Sequence, residues 1–192
     1  SEGYQVNPLY NATLSSFSTT RNQALRNTLD AKWYVTKDFY VSGQFNIDIK
    51  SSQSDKYVSP DDAQFLGEND PAKRGLYGLG TGKAFNYDGK IVLNYGRNIG
   101  QEGSGFVINA GSDIQHTNAT TSYVTAMGFL KDNLSDIKYA LGYDTSKLPG
   151  GTETLLAKVG FFASGNIYFR NRYFADVSYR TSGSAAYGKE NR

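Results

Sequence analysis

Alternation with a period of two residues constrains this chain more than any other feature. From Leu25 to Val35 the odd positions hold Leu25, Asn27, Leu29, Ala31, Trp33 and Val35, against Arg26, Thr28, Asp30, Lys32 and Tyr34. Phe39, Val41, Gly43, Phe45, Ile47 and Ile49 then oppose Tyr40, Ser42, Gln44, Asn46, Asp48 and Lys50. The pattern returns over 85–95, 106–115, 155–169 and 173–180. Only an extended strand sends successive side chains to opposite faces, so each run has one oily and one wet face. Helical periodicity is nearly absent. The expected fold is all-β and antiparallel, with about six strands.

Three short turns group the runs into hairpins: Thr36-Lys37-Asp38, the Gly-rich segment 96–105, and Arg170-Asn171-Arg172. A three-residue first loop places Val35 opposite Phe39, Ala31 opposite Gly43 and Arg26 opposite Asp48. The same rule in the last hairpin pairs Phe169 with Tyr173 and Asn166 with Asp176. Apolar residues then meet apolar ones and opposite charges meet, as cross-strand pairing favours. Two long polar connections, about Ser51 to Gly82 and His116 to Thr154, separate the hairpins and are expected as external loops. Short turns at one end and long loops at the other are the asymmetry of an outer-membrane barrel. Aromatic residues crowd the short turns: Trp33, Tyr34, Phe39, Tyr40, Tyr95, Phe106, Tyr168, Phe169, Tyr173 and Phe174. They are expected as a membrane-interface girdle. Runs of about 10 residues have the length a tilted strand needs to cross a bilayer. A self-contained soluble β-sandwich or small barrel, acting as a surface binding module, shows the same alternation and is the alternative.

Composition narrows the functions. The chain has no Cys, which excludes disulfides, thiolate metal sites and cysteine nucleophiles, and one His, which excludes a multi-His metal centre. Its 20 basic and 18 acidic side chains leave +2, which argues against a nucleic-acid partner. A mean hydropathy of −0.51 and the lack of a long apolar run exclude a membrane helix. Neither bears on a barrel, whose alternating strands average out as polar. No signal-peptide pattern is visible at the start of the sequence, and the expectation is either that one was removed or that the chain begins within a longer one.

Few motifs carry chemistry. Gly78-Leu79-Gly80-Thr81-Gly82-Lys83 fails as a P-loop, because Tyr77 and Ala84 stand where Gly and Ser or Thr are required. These glycines read as a flexible loop entering a strand. His116 has no partner at a recognisable spacing and is expected at a strand end. Asp61-Asp62 and Glu68-Asn69-Asp70 lack EF-hand spacing and read as solvated loop acids. Asn11, Asn118 and Asn133 begin sequons that matter only in a secretory eukaryotic setting. Neither an enzyme nor a cofactor is expected. Arg26, Asp30, Lys32, Asp48, Lys50, Asp88, Lys90, Asp113, Lys158, Asp176 and Arg180 share the polar face. In a barrel that face lines the lumen, where charges stay wet and pair. Tyr57, Phe65, Tyr77, Tyr123, Phe129, Tyr139 and Tyr143 are loop aromatics that either stack on cargo or pack within the loops.

Two separated groups of residues then resemble a known family. Asn7-Pro8-Leu9-Tyr10-Asn11-Ala12 precedes the first hairpin. Arg172-Tyr173, Val177-Ser178-Tyr179-Arg180, Gly183-Ser184, Gly188 and Asn191-Arg192 follow near the end. Together they are similar to SusC/RagA-type TonB-dependent outer-membrane transporters. Ser182, Ala185 and Tyr187 depart from that family's usual Asp, Ser and Phe. The resemblance implies that residues 1–192 are an internal part of one barrel of about 22 strands, whose plug and remaining strands lie elsewhere in a longer chain. The ending Gly188-Lys189-Glu190-Asn191-Arg192, without a terminal aromatic residue, fits that expectation. The implied partners are the rest of the transporter, outer-membrane lipid, TonB acting through a missing N-terminal part, and a SusD-like surface lipoprotein. The implied cargo is glycan or peptide, and the implied location is a Gram-negative outer membrane.

Overall fold

The structure is a computed structural model that describes residues 9–100 and 103–190, with backbone alone over 187–190. Asn7, Pro8, Asn191 and Arg192 of the motifs above lie outside the described residues, as does the side chain of Tyr187. Six long strands and one short one form a single antiparallel sheet. They are β1 (Phe17–Tyr34), β2 (Phe39–Val58), β3 (Leu76–Asn98), β4 (Gly105–Met127), β5 (Gly142–Tyr143), β6 (Gly150–Phe169) and β7 (Tyr173–Glu190). The order is β1-β2-β3-β4-β6-β7, with β5 a side branch on β4. Every long strand pairs with its neighbour in the chain. β1 and β7 are open edges, so the sheet does not close on itself.

The predicted hairpin registers are those found. Ala31 faces Gly43 and Arg26 faces Asp48. Val35 N–H donates to the Phe39 carbonyl at 3.0 Å. Phe169 faces Tyr173 and Asn166 faces Asp176. The ladders run without a register break. Leu25, Ile49, Phe85, Asn118 and Leu155 therefore form one continuous cross-strand row on the apolar side.

The strands are longer than the alternating runs, 18 to 23 residues. Residues 51–58, 76–82, 116–127 and 150–154, expected as loop, are strand. So are Gly78–Lys83, within β3, and the 180–188 run, within β7. The physical reason lies in the next row beyond Leu25–Leu155: Gln23, Ser51, Lys83, Thr120 and Glu153. Here both faces are polar, so period-two hydrophobicity disappears while the hydrogen-bonded ladder continues. The true connections are 59–75 and 128–149.

The buried cluster sits where the strands meet those connections. Tyr57, Tyr77, Ala126 and Phe129 pack together, with Tyr57 and Phe129 each 1% exposed. The Phe129 ring meets Tyr57 edge-on at 5.2 Å. Burial raises the Tyr57 hydroxyl pKa to about 12, and its O–H donates to the Asp132 carbonyl at 3.0 Å. Burial also acts upward on the Asp132 carboxyl. Hydrogen bonds from Ser59 and from the backbone and hydroxyl of Ser15 outweigh it and hold that carboxyl below its usual range. Residues 9–16 are thereby clasped to both connections. Gly128 makes the central crossing at φ +83°, where an added Cβ would lie 2.9 Å from both Ala72 O and Leu141 Cβ. Its N–H and that of Phe129 donate to the Arg74 carbonyl at 3.1 and 2.8 Å.

Gly128→Val adds both left-handed strain and a clash, together at least ~1–2 kcal/mol. Amide exchange at Phe129 and Leu141 should accelerate about tenfold or more while Ile91 in β3 stays protected. Hydrogen-exchange mass spectrometry on the full-length protein reads this directly.

Candidate functional site

The two faces of the sheet differ in chemistry. On one, Leu29 is 68% exposed, Ile108 48%, Phe161 58% and Val177 74%. Patches on soluble monomers rarely exceed a few hundred Å², and this one crosses six strands. No described element packs over it outside the loop-end cluster. Trp33, Phe39, Tyr95, Phe106, Phe169 and Tyr173 border it beside the short turns. A second aromatic group borders its other margin: Phe85 and Tyr87 with centroids 6.0 Å apart, and His116 stacked on Tyr87 at 4.9 Å. His116 is thus a ring in an aromatic row in the middle of β4, away from the strand end. Tyr95 and Phe85 stand ten positions apart on one strand. That is about 34 Å along the strand at ~3.4 Å per residue, or about 26 Å of height at a barrel tilt of ~40°.

Register corrects four of the ten expected girdle residues. Tyr34, Tyr40, Tyr168 and Phe174 occupy the opposite parity and project from the polar face. Lys32 Nζ lies over the Tyr40 ring at 4.0 Å and the Tyr34 ring at 5.0 Å. Tyr168 donates its hydroxyl to Asn98. These rings belong to the turn-end rim of the polar face.

All the charged residues expected together do share that face. Arg26 donates to Asp48 at 2.8 Å, and Lys50 Nζ lies 3.3 Å from the same oxygen. Thr28 donates to Asn46, which donates to Asp88, each at 2.7 Å. One Arg180 Nη sits 2.6 Å from both carboxylate oxygens of Asp113. Asn166 donates to Asp176. Asp30 and Lys158 have no hydrogen-bond or ion-pair partner among the described residues. Each lines a hollow on this side: ≈ 390 Å³ bounded by Asp30, Lys32, Gln44 and Lys90, and ≈ 570 Å³ bounded by Asp88, Asp113, Lys158 and Arg180. Cross-strand neighbours Asp48 and Asn86 each bury a side-chain oxygen with no donor.

One residue of this face escaped the sequence reading. Phe162 lies among the charges, with Lys90 Nζ 5.1 Å and the Arg180 guanidinium 5.9 Å from its ring centroid. Its even position in β6 was the available signal. Two glycines make the space. A Cβ at Gly111 would lie 2.6 Å from Phe162 Cζ, and one at Gly160 would lie 2.5 Å from Asp113 Oδ1 and 2.9 Å from Arg180 Nη2.

Of the expected loop aromatics, Tyr57 and Tyr77 are strand residues packed with Phe129. Tyr123, on β4, is exposed, as are Tyr139 and Tyr143. Phe65 is half-buried. The loop acids cap short 3-10 turns, Asp62 accepting from Gln64 N–H and Asp70 from Ala72 N–H, both at 3.0 Å.

No protein family and no curated protein matches this sequence. Its fold is similar to that of a chain in the structure of the RagAB peptide importer in the open-open state. The TM-score is 0.77 at 15% identity, over 88% of this chain and 18% of that one. The fold is a segment of barrel wall. At this identity the likeness shows fold alone, and the chain spans less than a fifth of the importer chain's length.

The Asp113–Arg180 pair is partly exposed, at 26% and 58%. A double-mutant cycle of Asp113→Asn and Arg180→Gln on the full-length protein in detergent should give a coupling of ~0.2–1 kcal/mol, falling with salt. Gly160→Val should abolish that coupling.

Proposed function

We propose that this chain is part of the wall of an outer-membrane importer of the TonB-dependent, SusC/RagA type. In this reading the apolar face meets lipid and the polar face lines the lumen. The observation that carries it is the uncovered apolar face, with aromatic residues beside the short turns and a second aromatic group at Phe85, Tyr87 and His116. At the ~40° strand tilt of a barrel, the separation of Phe85 and Tyr95 along β3 gives a height of ~26 Å, which fits the ~25 Å apolar band of outer-membrane barrels. The fold shared with a chain of a peptide importer supports the same assignment. A soluble sandwich needs a second layer over the apolar face, and the described residues supply none.

The open edges at β1 and β7 require further strands, because unpaired ladder groups are not tolerated in a bilayer. Two donorless buried oxygens at Asp48 and Asn86, and the unpaired Asp30 and Lys158, leave the lumen face incomplete. Water or a polar plug from the rest of the transporter completes it. The strand extensions above the band carry the clasped connections outward, where a SusD-like lipoprotein and peptide or glycan cargo would be met. The segment itself has no catalytic part in this account. Energy for release comes through TonB, from outside this segment.

Depth-dependent charge insertion tests the assignment. Ile91→Arg, midway between the two aromatic margins of β3, places a charge on the lipid side and should cost ~2–4 kcal/mol, whereas Ser164→Arg points to the lumen and should cost little. In fractionated cells, the folded outer-membrane form should fall sharply for Ile91→Arg alone. Equal tolerance of both, or a soluble native protein, contradicts the proposal.

A further inference from the structure

Beyond Asp48 and Asn86 the polar face changes character. In the outward strand extensions the row Thr20–Ser54–Gly80–Tyr123–Gly150 crosses it, flanked by the rows that hold Thr121 and Lys56. Among the described side chains these rows carry no carboxylate, one cation in Lys56 and one ring in Tyr123. Glu190, whose backbone extends the Thr121 row, has no described side chain. The dense charge of Asp88, Lys90, Asp113 and Arg180 lower on the same face therefore gives way to neutral hydroxyls.

The Tyr123 ring is laid down on the sheet. Strand side chains ordinarily stand perpendicular to it. Here the cross-strand neighbour is Gly150, and a Cβ on Gly150 would lie 2.6 Å from Tyr123 Oη and 2.8 Å from Cζ. The ring thus occupies the space of the side chain that Gly150 lacks. It remains 55% exposed, and its hydroxyl has no hydrogen-bond partner among the described residues. The other cross-strand neighbour, Gly80, also has no side chain to cover it.

Hydroxyls surround the ring. Thr121 and Thr152 Oγ1 share a hydrogen bond at 2.7 Å, and Ser52 and Ser54 are exposed on β2. Toward the membrane-spanning part, a hollow of ≈ 330 Å³ opens beside them, lined by Ala84, Ala119, Gly82, Asn22, Ser52 and Thr121. An apolar floor with a few placed polar groups is the usual make-up of a small-ligand site.

We propose that Tyr123 is a stacking platform for one sugar ring of a neutral glycan, whose hydroxyl edge meets Ser52, Ser54, Thr121 and Thr152. The C–H face of a pyranose is apolar and weakly positive, which suits the negative face of an exposed aromatic ring. Each Ser or Thr hydroxyl both donates and accepts, as sugar hydroxyls do. A peptide is recognised through a free sheet edge, side-chain pockets or its charged ends. β3, β4 and β6 are paired on both sides here, and these rows present one cation and no described acid. The inference rests on the importer reading and selects glycan over peptide as the cargo met at this level of the wall.

The test uses the full-length protein, extracted in detergent from the outer-membrane fraction and applied to an array of neutral gluco-, manno-, xylo- and galacto-oligosaccharides, with tryptic casein peptides alongside. The native protein should bind at least one neutral class. Tyr123→Ala should lower that affinity about tenfold, while Tyr123→Phe keeps most of it. Gly150→Ala, which lifts the ring without removing it, should fall between the two. Unchanged outer-membrane levels of the variants show that the fold is intact. Binding of no neutral oligosaccharide, or undiminished binding by Tyr123→Ala, overturns the platform while leaving the barrel intact. Absence of the native protein from the outer membrane overturns the barrel reading instead.

Discussion

Everything in this structure depends on an unbroken antiparallel ladder carrying a period-two pattern in the same phase across six strands. A slip of one residue in any pairing would turn that strand's oily side chains to the wet side. No slip occurs from Leu25 through Ile49 and Phe85 to Leu155. The result is a sheet with two incompatible surfaces and no second layer. Its apolar surface is not buried by the described chain, and its polar surface is hollowed and partly unpaired. Such a sheet is stable where one side meets hydrocarbon and the other meets water, which is the condition a barrel wall satisfies.

Within that frame the charged residues are held by geometry more than by burial. Gly160 leaves room for Asp113 and Arg180, and Gly111 leaves room for Phe162. A small residue on one strand thus accommodates a large group on the next, and it is this alternation of small and large that shapes the hollows. The clasp at the other end works differently. There the strands have lost their apolar face, and buried Tyr57 and Phe129 with the Ser15–Asp132 contacts tie the strand ends to the connections. The polar extension of the sheet therefore keeps its order through contacts within its own chain.

Much of this was legible in the sequence, for a specific reason in each case. The first and last hairpins were readable because Arg26–Asp48 and Asn166–Asp176 match in charge or polarity at the same offset that matches the apolar pairs. The ends of the long strands were not readable, because Gln23, Ser51, Lys83, Thr120 and Glu153 carry no hydrophobic alternation. The clustering of aromatic residues beside the turns was readable, but their faces were not. Proximity to a turn does not fix a face, and parity separates Trp33 from Tyr34 and Tyr173 from Phe174. Parity also marked Phe162, a large ring on the polar face of β6 among charges from β3 and β7. The crossing at Gly128 had no sequence signature apart from the glycine, since its partners Ala72 and Leu141 come from separate connections.

The most direct measurement of the central claim is a cysteine scan along β3. The chain has no cysteine, so each one introduced is unique within this segment. Spin labels at Ile91, Val92, Leu93 and Asn94, and at Thr81, Gly82 and Lys83, would be read in the full-length protein reconstituted in lipid. The measurement is power saturation against oxygen and a water-soluble nickel complex. The account predicts oxygen access at 91 and 93, nickel access at 92 and 94, and nickel access at all three upper positions. Strong nickel access at 91 and 93, or protection from both reagents there, would contradict a lipid-facing wall.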